Sequence, residues 1–228
     1  MTNAIPSLRP DDDADAIAAA RNAMVVSQLR PNAITDARLV AAMAEVPRER
    51  FVPHAHGVAA YRDRPLPLGG GREQNAALAT ARLLNEAAIE SGDKVLLIGA
   101  AGGYTAAVLA RLAAHVVAVE SDPALAKAAG VALAGIGNVA VIEGVLAQGA
   151  ANGAPYDAIV IDGAVEQLPP ALVEQVKVGG RIVSGIIERG VSRLATGVRT
   201  QGGFGLTPFA DIDCVTLPGF SKPRTFQF

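Results

Sequence analysis

The sequence predicts an α/β fold: a doubly wound, mostly parallel seven-stranded sheet with an N-terminal helical addition. From Ala76 onward, apolar β-like runs alternate with helical segments of about ten residues, which is typical of βαβ crossovers. The β-like runs are apolar on both faces, as expected when helices cover both sides of a parallel sheet. Hydrophobic residues make up 50% of the 228 residues and 24 are glycines, which suits close packing of helices on a sheet.

Residues 1–75 are expected to form helices and an ordered wrap, within one compact unit. Asp36 is expected to cap a helix that begins near Ala37 and stops before Pro47. The following segment, Pro47–Gly71, contains so many prolines and glycines that regular structure cannot continue for long. It is too apolar for a disordered linker, so we expect an ordered segment that leads into the main domain.

Residues 76–228 are expected to form the main domain. Its predicted helices are Ala76–Ala88, Tyr104–Ala113, Pro123–Ala134 and Pro170–Val176. Its first five predicted strands are Lys94–Ile98, Val116–Val119, Val139–Ile142, Tyr156–Ile161 and Arg181–Ile187. Two further segments are expected to close the sheet edge as an antiparallel pair, Leu194–Arg199 and Asp211–Leu217.

Composition argues against several classes of partner. The formal net charge is -2 and Trp is absent, so we expect no nucleic acid partner. The single cysteine, Cys214, excludes an internal disulfide, and with only three histidines we expect no metal site. No stretch reaches the ~20 apolar residues that span a bilayer, and an acidic run stands where a signal peptide needs positive charge. We therefore expect a cytoplasmic protein without a membrane partner.

A nucleoside-type turn lies in the middle of the chain. Residues 95–110 read VLLIGAAGGYTAAVLA, in which a strand leads into a glycine-bearing turn and then a helix. Such glycines let backbone N–H groups approach a ligand near a helix N-terminus. The next strand ends at Glu120, whose carboxylate can accept hydrogen bonds from both ribose hydroxyls. These features fit NAD binders and S-adenosylmethionine binders alike, or a turn that only joins the strand to the helix.

Eight segments carry a resemblance to a known family, and two of them are especially specific. The specific ones are VPRERFVP at residues 46–53 and AYRDRPLPLGGG at residues 60–71. The others are MVVSQL (24–29), KVLLIGAAGGYTAAVLA (94–110), VVAVE (116–120), GNVAVIEG (137–144), PYDAIVIDGAV (155–165) and GGRIV (179–183). On these segments the chain resembles the protein-L-isoaspartate O-methyltransferases.

The resemblance implies a Rossmann-like methyltransferase fold, S-adenosylmethionine as methyl donor and S-adenosylhomocysteine as product. It implies methyl transfer to the α-carboxylate of L-isoaspartyl residues, so that the partner is a damaged protein or peptide. Positioning and desolvation are expected to supply most of the acceleration, because the acceptor carboxylate is already ionised. The cofactor-binding positions that it implies are Gly99, Ala100, Ala101, Gly103, Tyr104, Glu120 and Val145.

Several positions differ from the family pattern. The family Ser that is usually marked as the active site corresponds to Asn75, whose carboxamide can donate a hydrogen bond to an acceptor carboxylate. Arg72 and Glu73 precede it and are interpreted either as acceptor-side residues or as solvated loop residues. Asp162 follows a β-like run and either contacts a ligand or caps the next segment. Further departures are Leu97 in place of an acid, Ala101 in place of glycine, and Val145 in place of the acid near the adenine.

Two function classes follow from this pattern. The first is an S-adenosylmethionine-dependent carboxyl O-methyltransferase that acts in protein repair. The second is a catalytically degenerate family member that acts as a binding or scaffold protein, with weakened or lost cofactor binding. The family match favours the first class, and the concentration of departures at the site favours the second. We take the enzyme as the leading hypothesis, with no particular oligomeric state predicted.

Overall fold

The structure, a computed structural model, describes residues 10–222. Its N-terminal part is helical, as predicted. Helix α1 (Pro10–Ala23) continues into a π-helical turn, Met24–Leu29, and helix α2 spans Ala37–Glu45. The predicted cap of α2 is confirmed, because the Asp36 carboxylate accepts a 2.8 Å hydrogen bond from the backbone N–H of Arg38.

The proline- and glycine-rich segment is ordered, as predicted. It forms three short 3₁₀ turns, Arg48–Phe51, His54–His56 and Val58–Tyr61. A small antiparallel hairpin then follows, with strand β1 at Leu66–Gly69 and strand β2 at Arg72–Gln74. The hairpin was not predicted from the sequence. It forms a two-stranded sheet of its own, separate from the main sheet.

The main sheet has seven strands in the order β5-β4-β3-β6-β7-β8-β9, which confirms the predicted fold class. Pairs from β5 to β7 are parallel, and the β7–β8 and β8–β9 pairs are antiparallel. The strands are β3 (Lys94–Ile98), β4 (His115–Glu120), β5 (Val139–Glu143), β6 (Tyr156–Val165), β7 (Val176–Glu188), β8 (Val191–Val198) and β9 (Thr207–Ala210). The remaining helices are α3 (Ala77–Ala87), α4 (Tyr104–Leu109), α5 (Pro123–Ala132) and α6 (Pro170–Val173).

Two predicted helices are shorter than expected because the chain has to turn into a strand. Helix α4 ends at Leu109, since the backbone N–H groups of Ala114 and His115 bond to the carbonyl of Asp93 and direct the chain into β4. Helix α6 ends at Val173, since Val176 already pairs with Tyr156 as the first residue of β7.

The predicted pairing at the sheet edge was wrong for one partner. Strand β8 pairs with β9 at Thr207–Ala210, and the segment Asp211–Leu217 does not pair with β8. That segment crosses the end of β6 instead, where Ala164 donates to the carbonyl of Val215 at 2.7 Å and accepts from Leu217 at 3.0 Å. The Val215 and Leu217 side chains are buried there, which favours this crossing over an exposed edge.

The core consists of two apolar layers, one on each side of the sheet. Alternate residues of β3 divide between them: Val95 and Leu97 join one layer, and Leu96 and Ile98 join the other. The first layer also contains N-terminal side chains, including Met24 and Leu39, so the helical addition shares a core with the sheet. None of the helices within residues 10–222 has the length and apolar character needed to cross a membrane.

Candidate functional site

The site lies at the carboxyl end of β3, where the order of the sheet reverses. Strand β3 pairs with β4 on one side and with β6 on the other, and ligands of open α/β sheets bind in the crevice at such a point. The turn after β3 carries Gly99 with φ +80° and Gly103 with φ +102°. Side chains are strained in this left-handed region, so both positions favour glycine. The turn therefore has the shape that brings backbone N–H groups to a ligand.

Glu120 ends strand β4 and its side chain is fully buried in this crevice. Backbone N–H groups hold its carboxylate in place. Oε2 accepts from Ala101 at 2.7 Å, and Oε1 accepts from Ser121 at 2.8 Å and from Asp122 at 3.0 Å. The predicted ribose-binding acid and the predicted turn therefore meet in the structure.

Arg72 also reaches this carboxylate. Its Nη2 lies 2.8 Å from Oε2 of Glu120, and its Nε lies 3.3 Å from Oε1. The Arg72 side chain is only 7% exposed, so the ion pair is buried. Neighbouring Glu73 points to solvent from the opposite face of β2. Arg72 is therefore a buried partner of Glu120 and not a solvated loop residue, whereas the Glu73 side chain is solvated.

The segment that crosses the end of β6, Asp211–Leu217, covers the crevice on the side of Gly99. The Leu217 methyl carbons lie 3.0 Å from where a Cβ on Gly99 would stand, and Leu217 is buried among Ile98 and Val119 in the second core layer. A hollow of about 460 Å³ remains beside Arg72 and Leu217, open between the hairpin tip and Asp122. Another hollow, of about 1200 Å³, lies elsewhere, between the segment Val46–Phe51 and helices α4 and α5.

Asn75 and Asp162 form a second buried cluster. The Asn75 carboxamide donates to Oδ1 of Asp162 at 2.9 Å and accepts from the backbone N–H of Val215 at 3.0 Å. Asp162 also accepts from the hydroxyls of Thr80 and Thr105. Strand β6 continues past Asp162, so this residue does not cap a following segment. Both side chains are thus engaged with the protein, and Asn75 links the crossing segment to the sheet.

Cys214 lies beside this cluster, with its Sγ 3.5 Å from the Asn75 amide nitrogen. Burial, with a smaller contribution from the charge of Asp162, raises the pKa of its thiol to about 12. The thiol therefore stays protonated at neutral pH, the form of cysteine that is a poor nucleophile.

Arg48 holds together the segments that carry Asn75 and Tyr104, a role that was not predicted from the sequence. It is fully buried and donates to the carbonyls of Ala60 and Asn75, while its guanidinium stacks 4.7 Å above the Tyr104 ring. Burial lowers the pKa of Arg48 and raises the pKa of Tyr104 to about 12. The ring of Tyr104 packs edge-on against Phe51, so its contribution here is to the core behind the turn.

The remaining predicted positions lie around the crevice. Ala100 and Ala101 are buried in the turn, Leu97 is buried in β3, and Val145 is 55% exposed after β5. Ala101 has φ +49°, a conformation that disfavours any residue with a Cβ. Within residues 10–222, no group of three His, Cys, Asp or Glu side chains is arranged to hold a metal ion. The arrangement offers a nucleoside-type crevice with the buried carboxylate of Glu120 at its base and the carboxylate of Asp122 at its mouth.

Comparison with known proteins gives a consistent result. The profile of the family described as Protein-L-isoaspartate(D-aspartate) O-methyltransferase matches residues 20–217. Protein-L-isoaspartate O-methyltransferase 1 of Rhodopseudomonas palustris is 41% identical over 193 residues, which cover 83% of this chain and 79% of that protein. A protein-L-isoaspartate O-methyltransferase of Methanoculleus marisnigri is 39% identical over 91% of this chain and 95% of its own length.

A solved structure supports the fold. A Plasmodium falciparum protein crystallised with S-adenosyl-L-homocysteine superposes with a TM-score of 0.70, at 19% identity, over 86% of this chain and 97% of its own. The segments that carry the resemblance in the sequence thus lie within a matched range that includes the turn, Glu120, Asn75 and Asp162. The chain belongs to the protein-L-isoaspartate(D-aspartate) O-methyltransferase family.

Proposed function

We propose that this protein transfers the methyl group of S-adenosylmethionine to the α-carboxylate of L-isoaspartyl residues in damaged proteins. The observation that carries the proposal is the buried Glu120 carboxylate, held by backbone N–H groups beside the left-handed glycine turn after β3. Relatives that share about 40% of the sequence over most of the chain bear the name of this activity. The comparisons offer nothing in favour of a non-catalytic scaffold.

The residues of the crevice match a sulfonium nucleoside in their chemistry. Glu120 offers carboxylate oxygens to ribose hydroxyls, and the positive φ values of Gly99 and Gly103 let the backbone come close to a ligand. The space beside Glu120 is partly taken by Arg72, and Leu217 covers the crevice from the side of Gly99. The donor set thus fits the group once Arg72 has moved aside.

The chain's own residues have a modest chemical task. S-adenosylmethionine, when bound, supplies an electrophilic methyl carbon on a positively charged sulfur. The acceptor carboxylate is already ionised, so no side chain has to remove a proton. Glu120 would orient the donor, and the crossing segment with Leu217 would exclude water from the crevice. Alignment of the two reactants and exclusion of water then supply the acceleration.

Calorimetric titration of S-adenosylhomocysteine into the purified protein tests donor binding. We expect a dissociation constant below roughly 100 µM. Glu120→Ala should weaken binding by about 1.5–3 kcal/mol, the range for a hydrogen bond to a charged group. Glu143→Ala is the matched control, because Glu143 is the register partner of Glu120 on β5 but is exposed to solvent.

Methyl transfer is then measured with two peptides that differ only in an isoaspartyl or an aspartyl linkage. We expect transfer to the isoaspartyl peptide alone. Equal transfer to both peptides would contradict the proposed acceptor. Failure of the wild-type protein to bind S-adenosylhomocysteine would contradict the proposed donor. A cytoplasmic location stays a prediction from the sequence.

A further inference from the structure

The Glu120 carboxylate has no free acceptor capacity in this structure. Two carboxylate oxygens offer about four lone-pair sites. Oε1 already accepts from Arg72, Ser121 and Asp122, and Oε2 already accepts from Arg72 and Ala101. Ribose hydroxyls could therefore bind this carboxylate only if one of the present donors leaves.

Arg72 is the donor that can leave. Three of the other donors are the backbone N–H groups of Ala101, Ser121 and Asp122, which are fixed by the sheet itself. The fourth, the Ser121 hydroxyl, makes only a long contact of 3.4 Å to Oε1. The turn is anchored because Gly99 and Ala100 both donate to the carbonyl of Val119. Arg72, by contrast, contributes a long side chain from a hairpin that pairs with no strand of the main sheet.

The hairpin also has the local structure of a segment that can open at its tip. Gly69 ends β1, and Gly70 and Gly71 connect it to β2. All three glycines have positive φ values and exposed positions. The tip lies against Asp122, since a Cβ on Gly70 would stand 3.0 Å from that carboxylate. The hollow of about 460 Å³ adjoins Arg72 at this place, so the guanidinium has open space next to it.

We propose that Arg72 is a latch that pairs with the carboxylate of Glu120 and competes with the ribose of the nucleoside for it. This inference rests on the proposed function, because it takes the nucleoside of S-adenosylmethionine as the competing ligand. The observed affinity is then the intrinsic affinity multiplied by the fraction of molecules in which Arg72 has left Glu120. An arginine that donates to both oxygens of a buried carboxylate keeps this fraction small.

The first test is Arg72→Gln, measured by calorimetric titration with S-adenosylhomocysteine. Loss of the latch should tighten binding at least about tenfold, because the competing closed form is removed. Arg72→Lys keeps the charge but not the forked contact, and should tighten binding less. The matched control is Arg64→Gln, which removes one positive charge from an exposed position before the same hairpin and should leave binding unchanged.

The second test observes Arg72 directly in the wild-type protein and needs no activity. In a ¹⁵N–¹H spectrum of arginine Nε groups, the Arg72 signal is assigned by its absence in Arg72→Gln. Titration with S-adenosylhomocysteine should move this signal to the position of exposed arginines. If Arg72→Gln folds poorly, the spectrum of Arg72→Lys supplies the same assignment, because lysine has no Nε–H group of this kind.

The outcomes separate the latch from the proposed function. If wild-type protein binds S-adenosylhomocysteine and Arg72→Gln binds it equally or more weakly, the latch is wrong and the function stands. If the Arg72 signal stays in place while the ligand binds, the latch is also wrong. If neither wild type nor Arg72→Gln binds the ligand, the proposed function fails and the latch fails with it.

Discussion

Gly102 is the residue of the turn after β3 whose missing side chain matters most for folding. A Cβ at this position would point at the backbone carbonyl of Phe51, well inside the 3.0 Å that real Cβ contacts essentially never cross. The carbonyl carbon and Cα of Phe51 would lie at 3.1 and 3.6 Å. Gly102 therefore lets the turn and the segment before the hairpin touch backbone to backbone.

Neither side of this contact can yield easily. The turn is closed by the hydrogen bond from Gly103 to Ala100 at 2.8 Å, and the Phe51 segment is a 3₁₀ turn closed by Arg50 and Pro47 at 3.0 Å. Overpacking in well-packed regions costs about 1–3 kcal/mol and occasionally more. Because the clash is with backbone rather than a flexible side chain, we expect Gly102→Ala to lower the free energy of unfolding by about 3 kcal/mol.

The assay is urea unfolding followed by far-UV circular dichroism, because the chain has no Trp for fluorescence. The control is Gly130→Ala in helix α5, where a Cβ meets nothing within 4 Å and the residue is exposed. That change should raise the free energy of unfolding by about 0.5–1 kcal/mol. A Gly102→Ala protein within about 0.5 kcal/mol of wild type would refute the argument, since surface changes without consequence fall in that range.

Three further predictions concern the same region. Ala101→Gly should raise the free energy of unfolding by up to about 1 kcal/mol, because the relief of strain at φ +49° exceeds the conformational entropy that glycine adds to the unfolded chain. Thermal unfolding of the two proteins measures this difference. Cys214 should react with a disulfide reagent at pH 8.5 about 1000-fold more slowly in the native than in the urea-unfolded protein, because a pKa raised from 9.0 to about 12 reduces the thiolate. The free energy of unfolding should fall as the pH rises from 9 towards 12, because in this range Cys214 and Tyr104 keep their protons in the folded protein and lose them in the unfolded chain. Each group lowers the free energy of unfolding by up to about 1.4 kcal/mol per pH unit, and urea midpoints measured across this range check the sign.

The sequence predicted the main elements well where local signals were strong. The bounds of β3 were predicted correctly, because an apolar run bounded by Lys94 and Gly99 has few alternatives. The cap at Asp36 was also predicted correctly, because an Asp directly before a helical segment is a strong local signal for a helix start. The β1–β2 hairpin was missed because three consecutive glycines indicate a loop, while its pairing depends on contacts that the local pattern does not contain. The division at residue 75 stays a prediction, and side chains from both parts share one core layer.

The site was predicted as a set of residues and not as a set of contacts. Glu120 followed from its place at the end of a strand, but its ion pair with Arg72 joins positions 48 residues apart. Similarly, Asn75 and Asp162 are 87 residues apart, and each was considered alone. Periodicity and turn signals report neighbours along the chain. They carry no information about which polar side chains, distant in the sequence, will form hydrogen bonds or ion pairs with each other in a buried crevice.

The Arg72–Glu120 pair stabilises the fold by an interaction that opposes nucleoside binding. A fully buried carboxylate is unfavourable unless it is paired and hydrogen-bonded, and Arg72 supplies that pairing when the hairpin lies closed. Removal of Arg72 should therefore lower the melting temperature of the empty protein while it tightens S-adenosylhomocysteine binding. General damage to the fold lowers both stability and affinity, so opposite signs distinguish the latch from a structural defect. A variant that loses both would show that Arg72 helps to build the crevice rather than to close it.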